Sequence, residues 1–161
     1  MHIRKITAAL VVVVLGLAAV VAHAQQSARG EVEKAVGALV AAYGEGPAGV
    51  DAYFSHYADD ITIINGARGR WTKGEYHKLW KDVNAKGGGV AAASVKDLQI
   101  QMSPAGDAAA TTFLMPISRR GDLQPGQERE ATWIMAGTWF KGSDGKWLVK
   151  SLTFIIAAPA R

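Results

Sequence analysis

The stretch YFSHYADDITII, residues 53–64, admits two readings, and the choice between them decides the fold. His56 beside Asp59 and Asp60 has the composition of an acid/base pair, in which a proton donor and acceptor stand within hydrogen-bond reach. The same letters also read as a short helix that ends in an aspartate turn and passes into a β-branched strand, Ile61 to Ile64. The flanks favour the second reading. Upstream, Val32, Ala35, Val36, Leu39, Val40 and Tyr43 recur at the three-four spacing of an amphipathic helix, which Gly44, Gly46 and Pro47 end. A second helix is expected to start near Gly49 and to carry Ala52, Tyr53, Phe54 and Tyr57. Downstream, Asn65-Gly66 is a turn dipeptide. On this reading His56 is a surface residue, and the aspartates hydrogen-bond nearby backbone.

The periodicity then changes once more. Thr72 with Glu75 three residues on predicts a capping box, and the helix it opens places Tyr76, Leu79, Trp80 and Val83 on one face. Lys86 to Gly89 breaks it. Beyond the break, strand patterns run over Val95 to Met102, Ala108 to Ser118, Glu130 to Phe140 and Lys146 to Ile156. The result is an α+β domain with a mainly antiparallel sheet. Pairing the last two strands across Gly142–Gly145 sets Phe140 opposite Trp147. One surface then collects Ile134, Ala136, Val149 and Thr153; the other collects Trp133, Met135, Trp139, Leu148, Leu152 and Phe154. Both are too apolar to face water, so the helices cover one and a second copy of the chain is expected on the other. Trp133, Met135, Trp139, Leu152 and Phe154 are the expected dimer interface.

The N-terminus is a separate object. A basic start (Arg4, Lys5), an apolar run from Ile6 to Ala22 and the small residues of Ala22-His23-Ala24 have the form of a secretory leader, residues 1–24, cut before Gln25. An uncleaved anchor is the alternative. Losing Arg4 and Lys5 takes the net charge from +4 to +2. Residues 25–161 then form a single domain that starts with a polar, frayed Gln25 to Gly30. The chain is expected in the periplasm or outside the cell, with no membrane contact once the leader is gone. It contains no cysteine, which removes disulfide and thiol chemistry. His56 and His77 lack an i, i+4 partner, so no metal site and no other cofactor is expected. Arg68, Arg70, Trp71 and Lys73 mix cations with rings, but the small net charge argues against nucleic acid.

The element order, Tyr57-Ala58-Asp59-Asp60 before the first strand and Asp144-Gly145-Lys146-Trp147 opening the last resemble the NTF2-like superfamily, in particular its SnoaL-like and ketosteroid isomerase-like proteins. The resemblance covers about Glu31 to Ile156 and implies a cystatin-like cone: three N-terminal helices on a curved sheet, with a pocket at the open end and dimerisation through the sheet. It also permits a test residue by residue. The isomerase branch keeps a carboxylate base just past the first strand, where this chain has Asn65; an amide cannot shuttle a proton at neutral pH. The oxyanion-donor tyrosine of the first helix falls near Leu39, and the His and Ser of many SnoaL-like relatives fall at Thr153 and Ile155.

The expected function is therefore binding of a small, largely apolar molecule in the cone, without the isomerase base. Tyr57, Asn65, Trp71, Tyr76, Trp80, Ile134 and Thr153 are the pocket candidates. Two other readings stay open. One is an isomerase, cyclase or dehydratase that uses His56 or His77 with an aspartate such as Asp60. The other is an assembly module with a filled cone.

Overall fold

The computed structural model of the chain describes residues 3–66, 69–123, 127 and 129–157, with side chains described from residue 23 onward. The elements run α1 (Ile3–Gly44), α2 (Val50–Ser55), β1 (Tyr57–Asn65), β2 (Gly69–Trp71), α3 (Lys73–Ala85), β3 (Gly89–Ala93), β4 (Lys96–Met102), β5 (Ala108–Arg120), β6 (Glu130–Lys141) and β7 (Trp147–Ile156). The strands form one seven-stranded sheet ordered β2-β1-β7-β6-β5-β3, with β4 also paired to β5. Among the described residues, only the β1–β7 pair is parallel. The fold is α+β: three helices lie against one face of a curved, unclosed sheet.

Local chemistry accounts for the elements. The Thr72 hydroxyl accepts from the Glu75 N–H while the Glu75 carboxylate accepts from the Thr72 N–H, which completes the capping box of α3. Along β5, a proline would interrupt a continuous ladder. Pro116 stands where the neighbour of β5 changes, since Ala93 pairs with Ile117 and Lys96 with Leu114. The short β2 and the Ala-rich β3 escape sequence reading because neither has strand composition. Gly-Arg-Trp is too short to alternate, and Gly-Val-Ala-Ala-Ala lacks β-branched residues apart from Val90.

Two bulges change the expected pairing. Lys141 stands opposite Trp147, Phe140 opposite Leu148 and Trp139 opposite Val149, but Thr138 stands opposite Ser151. Lys150 is therefore an extra residue in β7, and the strand changes phase there. Beside it, Tyr57 pairs with Val149 and Thr62 with Ser151, so β1 bulges over the intervening residues. Asp59 and Asp60 lie in that bulge rather than in a turn, and their carboxylates reach across to lysines. Lys73 Nζ donates to Asp59 Oδ1 at 2.8 Å and Lys150 Nζ to Asp60 Oδ1 at 2.6 Å. Tyr57, expected on the second helix, opens β1 instead.

The turn register, with Lys141 rather than Phe140 opposite Trp147, and the bulge together decide which residues face the helices. Trp147 and Val149 join Trp133, Met135, Trp139, Leu152 and Phe154 in the buried inner layer. Val149 therefore leaves the surface it was expected to share with Ile134, and Leu148, paired with Phe140, turns outward. The five residues expected at a dimer interface are core: Trp133 is 9 % exposed, and the other four no more than 3 %. The face left open carries Ile64, Ile134, Phe140 and Ile155, while Ile156, opposite Trp133, is an exposed end of the inner face. Gln25 to Gly30 is not frayed either. It is a continuous part of α1, held by Gln25 Nε2 donating to Pro104 O at 3.0 Å, Arg29 Nη1 donating to Ile100 O at 3.0 Å, and buried Ala28.

Candidate functional site

Rings from six elements and from the start of β1 meet between the helices and the inner sheet face. All four tyrosines of the chain belong to the cluster. Tyr43 on α1 lies 4.8 Å from Tyr53 on α2, 5.0 Å from Trp80 on α3 and 5.9 Å from Trp133 on β6, centroid to centroid. Trp133 stacks on Phe154 of β7 at 5.1 Å and 10°. Tyr76 links Phe154, Trp80 and Trp71 of β2. Tyr57, which is 1 % exposed, packs on Tyr53 and Phe54 and donates its hydroxyl hydrogen to the Tyr53 oxygen.

Four donors in this cluster are buried and lack a hydrogen-bond partner among the described residues: the Tyr43 hydroxyl and the indole Nε1 of Trp71, Trp80 and Trp133. Trp139 shows the usual arrangement, since its Nε1 donates to Thr111 Oγ1 at 3.0 Å. A buried polar group without a partner costs about 1–3 kcal/mol, and native proteins rarely gather several of them. Burial also raises the tyrosine pKa values, those of Tyr43 and Tyr57 far above their usual range and that of Tyr53 likewise upward. The hydroxyls are therefore donors throughout the physiological range. A void beside Tyr43, Tyr53, Trp80 and Asn84 holds about 10 Å³, room for roughly one water molecule. The rings fill most of the cone.

The pocket candidates divide. Tyr57, Trp71, Tyr76 and Trp80 are brought together in the ring cluster, and Asn65 ends β1 on the face that Ile61 and Ile63 bury. Ile134 and Thr153 lie on the opposite face: Ile134 pairs with Ile155, Thr153 pairs with Ala136, and Ile134 is 41 % exposed. Tyr43 was not among the candidates. It reads as the last apolar position of a helix, and only the folded chain shows its hydroxyl unpartnered.

The titratable candidates lie elsewhere. His77 Nε2 is 2.7 Å from Asp51 Oδ1, a carboxylate that Lys81 also holds at 3.0 Å on the exposed side of α2 and α3. These contacts, Lys81 first, keep the Asp51 pKa low. Lys73 and Lys150 do the same for Asp59 and Asp60, which leaves His56 without either aspartate. Burial alone lowers the His56 pKa. Neither histidine lines the void. Among the described residues, no three His, Cys, Asp or Glu side chains converge on a point that could hold a metal ion.

A family model described as a SnoaL-like domain matches residues 32–154. The chain belongs to the SnoaL-like family. Solved structures agree in fold. An NTF2-like protein from Cytophaga hutchinsonii matches with a TM-score of 0.66 at 16 % identity, covering 80 % of this chain and 98 % of that one. A ketosteroid isomerase-like protein from Erwinia carotovora matches with 0.63 at 19 % identity, covering 81 % and 96 %. A protein with a cystatin-like fold from Nostoc punctiforme matches with 0.61 at 15 % identity, covering 81 % and 92 %. At such identities the likeness is one of fold. No curated protein sequence matches the chain. Within this SnoaL-like domain the ring cluster occupies the space between helices and sheet, and the bulge aspartates that helped mark the family are ion-paired parts of the scaffold.

Proposed function

We infer that this SnoaL-like domain binds a small, largely apolar molecule that carries a hydrogen-bond acceptor, and that it does so without an isomerase-type base. The observation behind this reading is the set of four buried, unpartnered donors among stacked rings. An acceptor placed against them removes a desolvation cost that the protein bears alone, and the rings supply contact area. Asn65, on the inner face where isomerase relatives keep a carboxylate, orients a ligand but moves no proton. Entry requires the rings to part. Trp80, which lines the void from the half-buried face of α3, is the ring best placed to swing. Tryptophan-fluorescence and thermal-shift titrations over a broad set of apolar ketones, esters and acids test the reading. Saturable binding with a change in emission supports it; no response across the set would leave the filled cone as the better account, favoured by the void of about 10 Å³.

Export and pairing complete the proposal. Cleavage before Gln25 would leave intact the contacts that Gln25, Ala28, Arg29 and Glu31 make with the sheet. A second copy of the chain on the outer face would cover Ile134, Phe140 and Ile155, each more than 40 % exposed.

A further inference from the structure

We propose that the molecule taken up by this site bears a carboxylate, seated against three side-chain groups that can each donate a hydrogen bond, with no acid among them and arginines at the flank. The inference rests on the ligand-binding reading and specifies the ligand's chemical class. Tyr43, Tyr53, Trp80 and Asn84 carry the side-chain hydrogen-bonding groups around the void. The Tyr43 hydroxyl and Trp80 Nε1 are unpartnered donors. Tyr53 oxygen already accepts from Tyr57, which leaves the Tyr53 hydroxyl its own proton to donate. Asn84 is used on both sides: its Oδ1 accepts from Arg120 Nη2, and its Nδ2 donates to Trp80 O at 2.7 Å. The void therefore meets three side-chain groups with a proton to donate and no acid; the two hydroxyl oxygens also keep lone pairs, while the indole Nε1 is a donor only.

A carbonyl presents one oxygen with two lone pairs, whereas a carboxylate presents two oxygens with about four acceptor sites and so fits three donors better. Charge points the same way. Arg120 donates through Nε to Gly88 O at 2.7 Å and lays its guanidinium against Gly46, which lines the void. Arg119 precedes it in β5 and stands opposite Val90, which lines the void, so the two share a face of the sheet. Arg129 Nη1 donates to Arg119 O at 2.9 Å and to Gly121 O at 3.1 Å, which fixes this end of the β5–β6 pair. Nearby acids, Glu45, Asp122 and Glu130, are exposed.

Benzoate, benzamide and benzyl alcohol form a matched series that separates charge from shape, titrated calorimetrically into the full chain. Hydrogen bonds to a charged group exceed neutral ones enough to give benzoate about a tenfold advantage over benzamide, and that advantage should shrink with added salt. Arg119→Gln and Tyr43→Phe should each reduce the preference for benzoate; Tyr43→Phe removes only an unpartnered hydroxyl and so keeps the test valid if the arginine variant folds poorly. Benzamide or benzyl alcohol binding as tightly as benzoate would overturn the carboxylate assignment and leave the ligand-binding reading standing. Saturable binding by none of the three would overturn both.

Discussion

Replacing Tyr43 by Phe should make the domain more stable, since it removes one polar atom from the aromatic core and leaves the ring where it is. Tyr43 is 5 % exposed, and its hydroxyl has no partner among the described residues. The folded state therefore carries the desolvation cost of that group, about 1–3 kcal/mol, without the compensating bond. Phenylalanine keeps the ring contacts with Tyr53, Trp80 and Trp133 and removes the cost. An increase of about 1 kcal/mol is expected, or roughly 3–5 °C in Tm for a domain of this size. Trp139→Phe is the opposing control. Its Nε1 donates to Thr111 Oγ1 at 3.0 Å and its ring is 1 % exposed, so the smaller ring loses a satisfied bond and leaves a gap. That variant should lose about 2–4 kcal/mol. Urea unfolding followed by far-ultraviolet circular dichroism at one protein concentration measures both, with an unchanged m-value showing that the same surface unfolds. A Tyr43→Phe protein less stable than the parent by about 1 kcal/mol would mean that the hydroxyl is bonded in the folded state. The set of unpartnered donors around the void would then lose its central member.

Three further outcomes follow from particular contacts. Trp133→Lys places a charge in the core, since Trp133 is 9 % exposed, and should abolish the cooperative unfolding transition; Ile134→Lys, at 41 % exposure, should fold normally but sediment as a monomer if the outer sheet face is the dimer interface. Thr72→Ala removes the hydroxyl that accepts from the Glu75 N–H, and should lower thermal stability by about 1 kcal/mol. Glu31 accepts from Lys141 at 2.6 Å and Trp147 at 3.0 Å, and these bonds hold its pKa below the ordinary 4.5. Its stabilisation is thus complete above that value and disappears as pH falls through the lower folded-state pKa; Glu31→Gln should flatten the pH dependence of Tm in that acid range.

The fold was legible where local signals and global packing agree. Thr72 and Glu75 mark their helix without tertiary help, and strict alternation identifies Trp133 to Trp139 as a strand with one buried face. Failures came where a distant partner sets the structure. Asp59-Asp60 has turn composition, yet Lys73 and Lys150, remote in sequence, hold both residues in a strand bulge. Gln25 to Gly30 is polar, yet the carbonyl oxygens of Ile100 and Pro104 give it a place in α1. Choosing the inner sheet face needed the position of the bulge, which alternation cannot supply. The site followed the same division. Ring composition pointed to Trp71, Tyr76 and Trp80, but whether a donor has a partner is a property of the folded chain, so Tyr43 read as one more apolar residue on a helix.

The extra residue in β7 makes the strand two half-strands written in different frames. Between the Gly142–Gly145 turn and Lys150, the odd-numbered positions Trp147 and Val149 point inward; beyond it the even-numbered Leu152 and Phe154 do. Deleting Lys150 would join the two frames into one continuous alternation, with Trp147, Val149, Leu152 and Phe154 still facing inward, and would remove the bulge itself. The same deletion would take away the ammonium that neutralises Asp60. The extra residue therefore serves the local bend and the pairing with Asp60 rather than the facing of the strand, whereas a one-residue deletion elsewhere in β7 would turn part of the strand over.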